Sequence, residues 1–169
     1  QSVLVQVTKD PIGQKGARLT SQISLPGRYL VYVPGGGMSG ISRRLPDNER
    51  NRLKSILKNL IPEQAGVIIR TAAEGASETD LEADVSRLKV QWEDIDKQAN
   101  NSATSAPSLL YSEPDLTVRV IRDIFNEDFN KMLVQGDQAW DDIQNYIGHI
   151  APELASKIEK WAGPRDLFA

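Results

Sequence analysis

The feature that most constrains the fold of this chain is a short apolar segment followed directly by an arginine and a threonine. The run Gly66 to Ile69 is short and rich in β-branched residues, which is typical of a strand buried inside a sheet. Arg70 and Thr71 follow at once, so we expect them at the mouth of that strand. A guanidinium is a planar fork that matches a phosphate, and a hydroxyl and nearby backbone N–H groups can complete the contact. The dipeptide therefore indicates an anion clamp. The alternative is an ion pair between Arg70 and an acid such as Glu74.

The charge of the chain is unevenly distributed. The net charge is −3 over 169 residues, but residues 1–70 hold 11 Lys/Arg against 4 Asp/Glu, whereas residues 71–169 hold 9 against 19. A basic region is the electrostatic footprint that an RNA partner requires. The sequence leaves a second reading open, in which the basic face packs on the acidic half or on another domain.

Composition excludes several classes of function. The chain has no cysteine and one histidine, so a disulfide framework, a thiolate metal site and a histidine-rich metal site are excluded. The lack of cysteine suits a reducing cytoplasm, which is the expected location. No apolar run reaches the roughly 18 residues that suggest a transmembrane helix. A phosphate-processing enzyme would also need a general base near Arg70, and the sequence offers no His or Cys for this role. We therefore expect no catalytic residue, no metal ligand and no membrane-spanning segment.

Hydrophobic periodicity predicts a mixed α+β fold. Strands are expected at residues 3–7, 17–25, 28–33, 66–71, 109–111 and 130–135. Helices are expected at residues 47–60, 78–99, 115–125, 138–150 and 152–161, although residues 116–120 also alternate as a strand would. Ser77 and Asp80 are spaced as a capping box for the second of these helices. The polar segment 100–107 is the best internal boundary.

Four spaced motifs resemble the bacterial ribonuclease E/G family. They occur in the family's order over nearly the whole chain: KGARLTSQISLPGRYLVYVP at 15–34, ISRR at 41–44, VIIRTAAEG at 67–75 and QWEDI at 91–95. The stretch VTKDPIGQKGARLTSQ is similar to actinobacterial members. The catalytic half of that family joins an OB-type RNA-binding barrel, a 5′-sensor domain, an RNase H-like domain and a deoxyribonuclease-like domain.

The resemblance implies that this chain, which begins at Gln1, is part of a longer protein. Residues 1–21 would be the end of the OB-type barrel, residues 22–117 the 5′-sensor domain, and residues 118–169 the C-terminal part of the RNase H-like domain. In the family, the aspartates that bind catalytic Mg²⁺ and the cysteines that bind Zn²⁺ lie further along. We therefore expect a parent endoribonuclease that cuts single-stranded RNA in RNA processing and decay, with Mg²⁺ and additionally Zn²⁺ as cofactors. This chain alone is expected to cut nothing.

Matching motifs imply binding roles for five residues. Arg70 and Thr71 match the pair that holds the 5′-monophosphate of RNA. Gly27 and Val31 match positions that line the terminal nucleotide, where glycine permits close approach of a ligand and valine offers an apolar surface and a strand N–H. Lys15 matches a barrel residue near the RNA path. The expected partner is single-stranded RNA with a 5′-monophosphate, and the parent is expected to form a homo-oligomer.

Two questions stay open at the level of sequence. Arg43 and Arg44 either contact the RNA backbone or hold their loop by pairing with carboxylates. The chain as a whole either recognises the RNA end or serves as a structural scaffold that joins the barrel to the catalytic domains and supports oligomerisation.

Overall fold

The fold is mixed α+β, as the sequence predicts. The structure, a computed structural model, describes residues 2–36, 39–113, 115–125, 128–150 and 152–167, without the side chains of residues 149, 150 and 153. The chain divides into two compact units, Gln1–Tyr111 and Ser112–Ala169. The three-part division at residues 21 and 117 stays a prediction.

The first unit begins with a β-hairpin. Strand β1 (Gln6–Lys9) pairs antiparallel with β2 (Arg18–Thr20), and both strands are shorter than predicted. The side-chain amide of Gln6 ties the hairpin to the following segment. It donates to the Ser24 carbonyl at 2.9 Å and accepts from the Ser24 N–H at 2.9 Å. These two hydrogen bonds hold the start of β1 beside Ser24, the residue that precedes β3.

A four-stranded sheet forms the centre of the first unit. Its strands are β3 (Leu25–Pro26), β4 (Leu30–Val33), β5 (Gly40–Ile41) and β6 (Gly66–Ile69). Their spatial order is β3-β4-β6-β5. Strand β4 is antiparallel to both neighbours, and β5 is parallel to β6. The predicted strand at 66–71 ends in the structure at Ile69, and Thr71–Ala73 forms a 3-10 turn.

Two helices complete the core of the first unit. Helix α1 (Asp47–Leu60) and helix α2 (Glu78–Ala99) span the predicted residues. Both bury side chains spaced three or four residues apart, which is the period of one helix face. The predicted capping box is confirmed, since Ser77 and Asp80 exchange side-chain and backbone hydrogen bonds at the start of α2. The buried helical side chains pack with those of the sheet in one cluster, which includes Leu30, Tyr32, Leu53, Leu57, Ile69, Leu81, Val85 and Leu88.

The second unit has its own small core. It contains α3 (Leu116–Asp123), β7 (Met132–Val134), α4 (Asp137–Ile150), a 3-10 segment at Pro152–Lys157, and β8 (Ile158–Lys160). Asp115 caps α3 by accepting the Thr117 N–H at 2.9 Å, so the helical alternative for 116–120 is the right one. The core side chains are Ile121, Phe125, Val134, Ile143, Ile147, Leu154 and Ile158.

Two predicted elements are wrong. The segment expected as a strand at 109–111 has no regular secondary structure. Its residue Leu110 is partly buried and packs against the core of the first unit. The helix expected at 152–161 is a 3-10 segment followed by β8, because residues 158–160 pair in parallel with β7. Pairing with a distant strand overrides a local helical pattern there. None of the helices in the described residues is long and apolar enough to cross a bilayer.

Glu49 and Arg52 form an ion pair within α1, and hydrogen bonds from this pair connect the helix to the segment that follows β6. Glu49 accepts from both Nε and Nη2 of Arg52, at 2.7 and 2.8 Å, and from the Gly75 N–H at 2.9 Å. Arg52 in turn donates to the Ala76 carbonyl at 2.9 Å. The Arg52 guanidinium, with the Gly75 N–H, lowers the pKa of Glu49 from 4.5 to about 2.

We expect the stability that depends on Glu49 to disappear in acid. A carboxyl whose pKa is lowered on folding stabilises the protein above its unfolded pKa, and this contribution is lost as pH falls through the folded pKa. The difference in free energy of unfolding between wild type and Glu49→Gln should therefore be full above pH 4.5 and shrink towards pH 2. Urea unfolding at a series of pH values measures it. Glu63→Gln, at an exposed position, is the control. A difference that does not change with pH contradicts the assignment.

Candidate anion-binding site at the end of β6

The pairing of β4 with β6 places two predicted site residues on one face of the sheet. Val31 lies opposite Ile68, and the Arg70 N–H donates to the Tyr29 carbonyl at 2.9 Å. Arg70 is still extended, with φ −86° and ψ 162°. Alternate strand residues point to the same side, so Arg70 and Ile68 share a face with Val31. Arg70 is thus the diagonal neighbour of Val31, at a Cα separation of about 7–8 Å for such pairs.

Backbone carbonyls hold the Arg70 guanidinium. Its Nη1 donates to the Gly27 carbonyl at 2.7 Å and lies 3.4 Å from the Arg28 carbonyl. These acceptors orient the fork without cancelling its positive charge, because a carbonyl carries no net charge. Glu74, four residues beyond Arg70, closes the turn through its backbone N–H, which donates to the Thr71 carbonyl at 3.1 Å. The arrangement is that of a pre-oriented cation at a strand end.

A buried carboxylate builds the turn that receives Arg70. Asp84 of α2 is 5% exposed, and its two oxygens accept from the N–H groups of Arg28, at 3.2 Å, and Tyr29, at 3.0 Å. Arg87, one helical turn along, pairs with the same carboxylate at 2.9 Å. A buried charge is tolerated when it is paired and hydrogen-bonded in this way. Asp84 thereby fixes the carbonyls to which Arg70 is anchored.

Asp84 is a residue of the site that the sequence alone does not reveal. Its partners lie 56 and 55 residues away in the chain. One signal was present: Asp84 occupies the buried stripe of α2 between Leu81 and Val85, where an apolar residue is expected. An acid at such a position indicates a specific partner.

Gly27 faces this carboxylate. A Cβ built on Gly27 would lie 2.8 Å from Cγ of Asp84, and closer still to one carboxylate oxygen. The close approach that glycine permits here is therefore that of Asp84. The Gly27 N–H also closes the β3–β4 turn by donating to the Leu30 carbonyl at 2.8 Å. Contact between Gly27 and a ligand stays a prediction.

Thr71 lies beside Ser42 and a pair of arginines. The two hydroxyl oxygens are 3.1 Å apart, and the Ser42 N–H donates to the Ile69 carbonyl at 3.0 Å, which extends the parallel pairing of β5 with β6. Arg43 and Arg44 follow Ser42 and are exposed. Their side chains form no ion pair with any residue that the structure describes, so the reading in which they hold the loop through carboxylates is not supported. Sequence reasoning missed Ser42 because the short strand β5 was not predicted.

Val31 lines a cavity between the hairpin and the sheet. The cavity has a volume of about 490 Å³ and is lined by Thr8, Lys9, Arg18, Leu19, Thr20, Gln22, Ser24, Val31, Val33 and Ile68. Val31 offers this cavity its side chain rather than its N–H. Hydrogen-bonded pairs alternate along an antiparallel ladder, so Val31, two residues beyond Tyr29, uses its backbone to pair with Ile68.

Lys15 lies apart from the other predicted residues. It is exposed at the tip of the hairpin, where Ile12 and Lys15 exchange backbone hydrogen bonds of 3.0 Å. It is not among the residues that line the cavity. Gly27, Arg70 and Thr71 are not among those lining residues either. Arg70 contacts the Gly27 carbonyl and is the diagonal neighbour of Val31, whereas Thr71 contacts Ser42 at the neighbouring strand end. The described residues include no group of three or more side chains that could hold a metal ion.

We expect Gly27→Ala to destabilise the protein by about 1–3 kcal/mol, because the added methyl group displaces Asp84 from the turn. Gly40→Ala is the matched control within the same sheet, since a Cβ there meets nothing within 4 Å. Urea unfolding compares the two variants. Equal effects of both substitutions contradict the packing described here.

Comparison with known proteins places these residues in a family. The sequence profile of the ribonuclease E/G family matches residues 24–169. Ribonuclease G of Escherichia coli (strain K12) is 38% identical over 169 residues, which cover 99% of this chain and 34% of that protein. Ribonuclease E of Haemophilus influenzae is 38% identical over 100% of this chain and 18% of that protein. Ribonuclease E of Nostoc sp. (strain PCC 7120) is 40% identical over 87% of this chain and 21% of that protein.

The chain thus spans about a third or less of the length of these relatives. The profile match covers the sheet, both large helices and the second unit, including Gly27, Val31, Arg70 and Thr71. The chain belongs to the ribonuclease E/G family.

Proposed function

We propose that this chain binds the 5′-monophosphate end of single-stranded RNA. One observation carries the proposal: Arg70, a pre-oriented cation, and Val31, an apolar contact, are diagonal neighbours on the sheet face that borders the cavity. A nucleoside 5′-monophosphate presents a dianionic phosphate and, on the other side of the ribose, a base whose flat faces suit an apolar surface. The two side chains are complementary to these two parts.

The phosphate would lie against Arg70 and Thr71. A planar guanidinium binds phosphate in a two-pronged manner, and a threonine hydroxyl donates one further hydrogen bond. Arg43 and Arg44 stand at the next strand end and bring two additional positive charges to this edge. An anion is therefore attracted to this edge of the sheet before it makes any specific contact.

The nucleoside would occupy the cavity beside Val31. A volume of about 490 Å³ lies within the range of about 300–1,000 Å³ typical of sites for small ligands. Val31, Val33 and Ile68 supply the apolar wall. The hairpin supplies the other wall, with the hydroxyl groups of Thr8 and Thr20 and the cations Lys9 and Arg18. Such a mixed lining suits a nucleotide better than a purely apolar molecule.

The parent protein, we infer further, is an endoribonuclease that cuts single-stranded RNA. Family membership supports this, together with the names of the relatives, ribonuclease G and ribonuclease E. In that proposal the chain holds the substrate end while Mg²⁺-dependent cleavage takes place in another part of the protein. Binding of the end would orient the RNA and raise the effective concentration of downstream sites.

Fluorescence anisotropy with short RNAs that differ only at the 5′ end tests the proposal. Wild type should bind 5′-monophosphate RNA on the order of 10–150-fold more tightly than 5′-hydroxyl RNA, because a hydrogen bond to a charged group contributes about 1.5–3 kcal/mol. Arg70→Ala should abolish this preference. Thr71→Val, which keeps the shape and removes the hydroxyl, should reduce it.

Lys54→Ala is the control variant, since it removes an exposed positive charge on α1. It should leave the preference for the 5′-monophosphate unchanged. A preference that survives in Arg70→Ala overturns the proposal. Equal binding of both RNA ends by wild type supports the structural scaffold instead.

A further inference from the structure

We propose that Lys9 and Arg18 form a clamp for the phosphodiester that links the 5′-terminal nucleotide to the next one. This inference rests on the proposed binding of the RNA end at Arg70 and Val31. It assigns a role to the hairpin wall of the cavity, which none of the predicted site residues occupies.

The two cations face each other across the hairpin. In the register of β1 and β2, Lys9 lies opposite Arg18, at an irregularity in the ladder. Like charges directly opposite on neighbouring strands destabilise a sheet. Such an arrangement costs free energy in the free protein and becomes favourable when an anion lies between the two side chains.

Nothing described in the structure neutralises this pair. Neither side chain forms an ion pair or hydrogen bond with a residue that the structure describes, and Asp10, next to Lys9, is exposed and unpaired in the same part of the chain. The backbone beneath the pair is fixed, since the Thr8 hydroxyl donates to the Arg18 carbonyl at 3.1 Å. The protein therefore positions the two cations but, within the described residues, supplies no anion to pair with them.

The clamp and the terminal-nucleotide site share one cavity. Lys9 and Arg18 line the same space as Val31 and Ile68. Arg70 lies on the Val31 face, at the end of β6. A nucleotide whose 5′-phosphate contacts Arg70 and whose base lies on Val31 would direct its 3′ oxygen away from Arg70, towards the hairpin. The next anionic group of an RNA chain is the first internucleotide phosphodiester, and a pair of cations suits its single charge.

Methylphosphonate linkages test this assignment, because they remove the charge of one chosen phosphodiester. The ligand is a 5′-monophosphorylated trinucleotide RNA in three forms: unmodified, neutral at the first linkage, and neutral at the second. Wild type should lose affinity on the order of 10-fold when the first linkage is neutral, and much less for the second. The double variant K9Q/R18Q should bind the unmodified ligand with the same loss and show no further loss from the neutral first linkage.

The double variant K54Q/K58Q is the control, because it removes two exposed positive charges from α1. It should respond to the three ligands as wild type does. A first-linkage effect that persists in K9Q/R18Q, or equal losses in the two double variants, overturns the clamp.

The preference for 5′-monophosphate over 5′-hydroxyl RNA separates this proposal from the one on which it rests. K9Q/R18Q should keep that preference, since Arg70 is unchanged. Absence of the preference in wild type overturns the proposed function. Its presence without a first-linkage effect overturns the clamp alone.

Discussion

The antiparallel pairing of β4 with β6 is the constraint on which the candidate site depends. It sets Val31 opposite Ile68. The pairing continues beyond β6, where the Arg70 N–H donates to the Tyr29 carbonyl. A shift of the register by one residue would turn Arg70 to the opposite face of the sheet, because side chains alternate between the two faces. The core opposes such a shift of β6, since Ile69 would then leave the apolar cluster that it forms with Leu30 and Tyr32.

A second layer of contacts orients the Arg70 guanidinium. Asp84 reaches from α2 to the N–H groups of the turn after β3, and that turn presents to Arg70 the Gly27 and Arg28 carbonyls. The missing side chain of Gly27 leaves the room that the carboxylate needs. A cation oriented in advance loses less conformational entropy when it binds an anion. The helix therefore contributes to the site without lining it.

The sequence predicted what local pattern determines and missed what distant pairing determines. Helices α1 and α2, the buried strand β6 and the capping box at Ser77 follow from periodicity and capping chemistry within a few residues. The position of Arg70 and Thr71 directly after that strand follows from the same local pattern. Strands β5 and β8 depend on parallel partners about 26 to 28 residues away, and the Ser42–Thr71 and Asp84–Tyr29 contacts span 29 and 55 residues. The opposed cations Lys9 and Arg18 required the register of the hairpin.

An RNA 5′ end is proposed to bind at the face shared by Arg70 and Val31. Backbone ¹H–¹⁵N chemical shifts, recorded while a 5′-monophosphorylated dinucleotide is added, locate the ligand most directly. We expect the largest changes at Arg70, Thr71, Val31 and the turn at Gly27, with weaker changes for the 5′-hydroxyl dinucleotide. Changes confined to α1, or to the second unit, would contradict it.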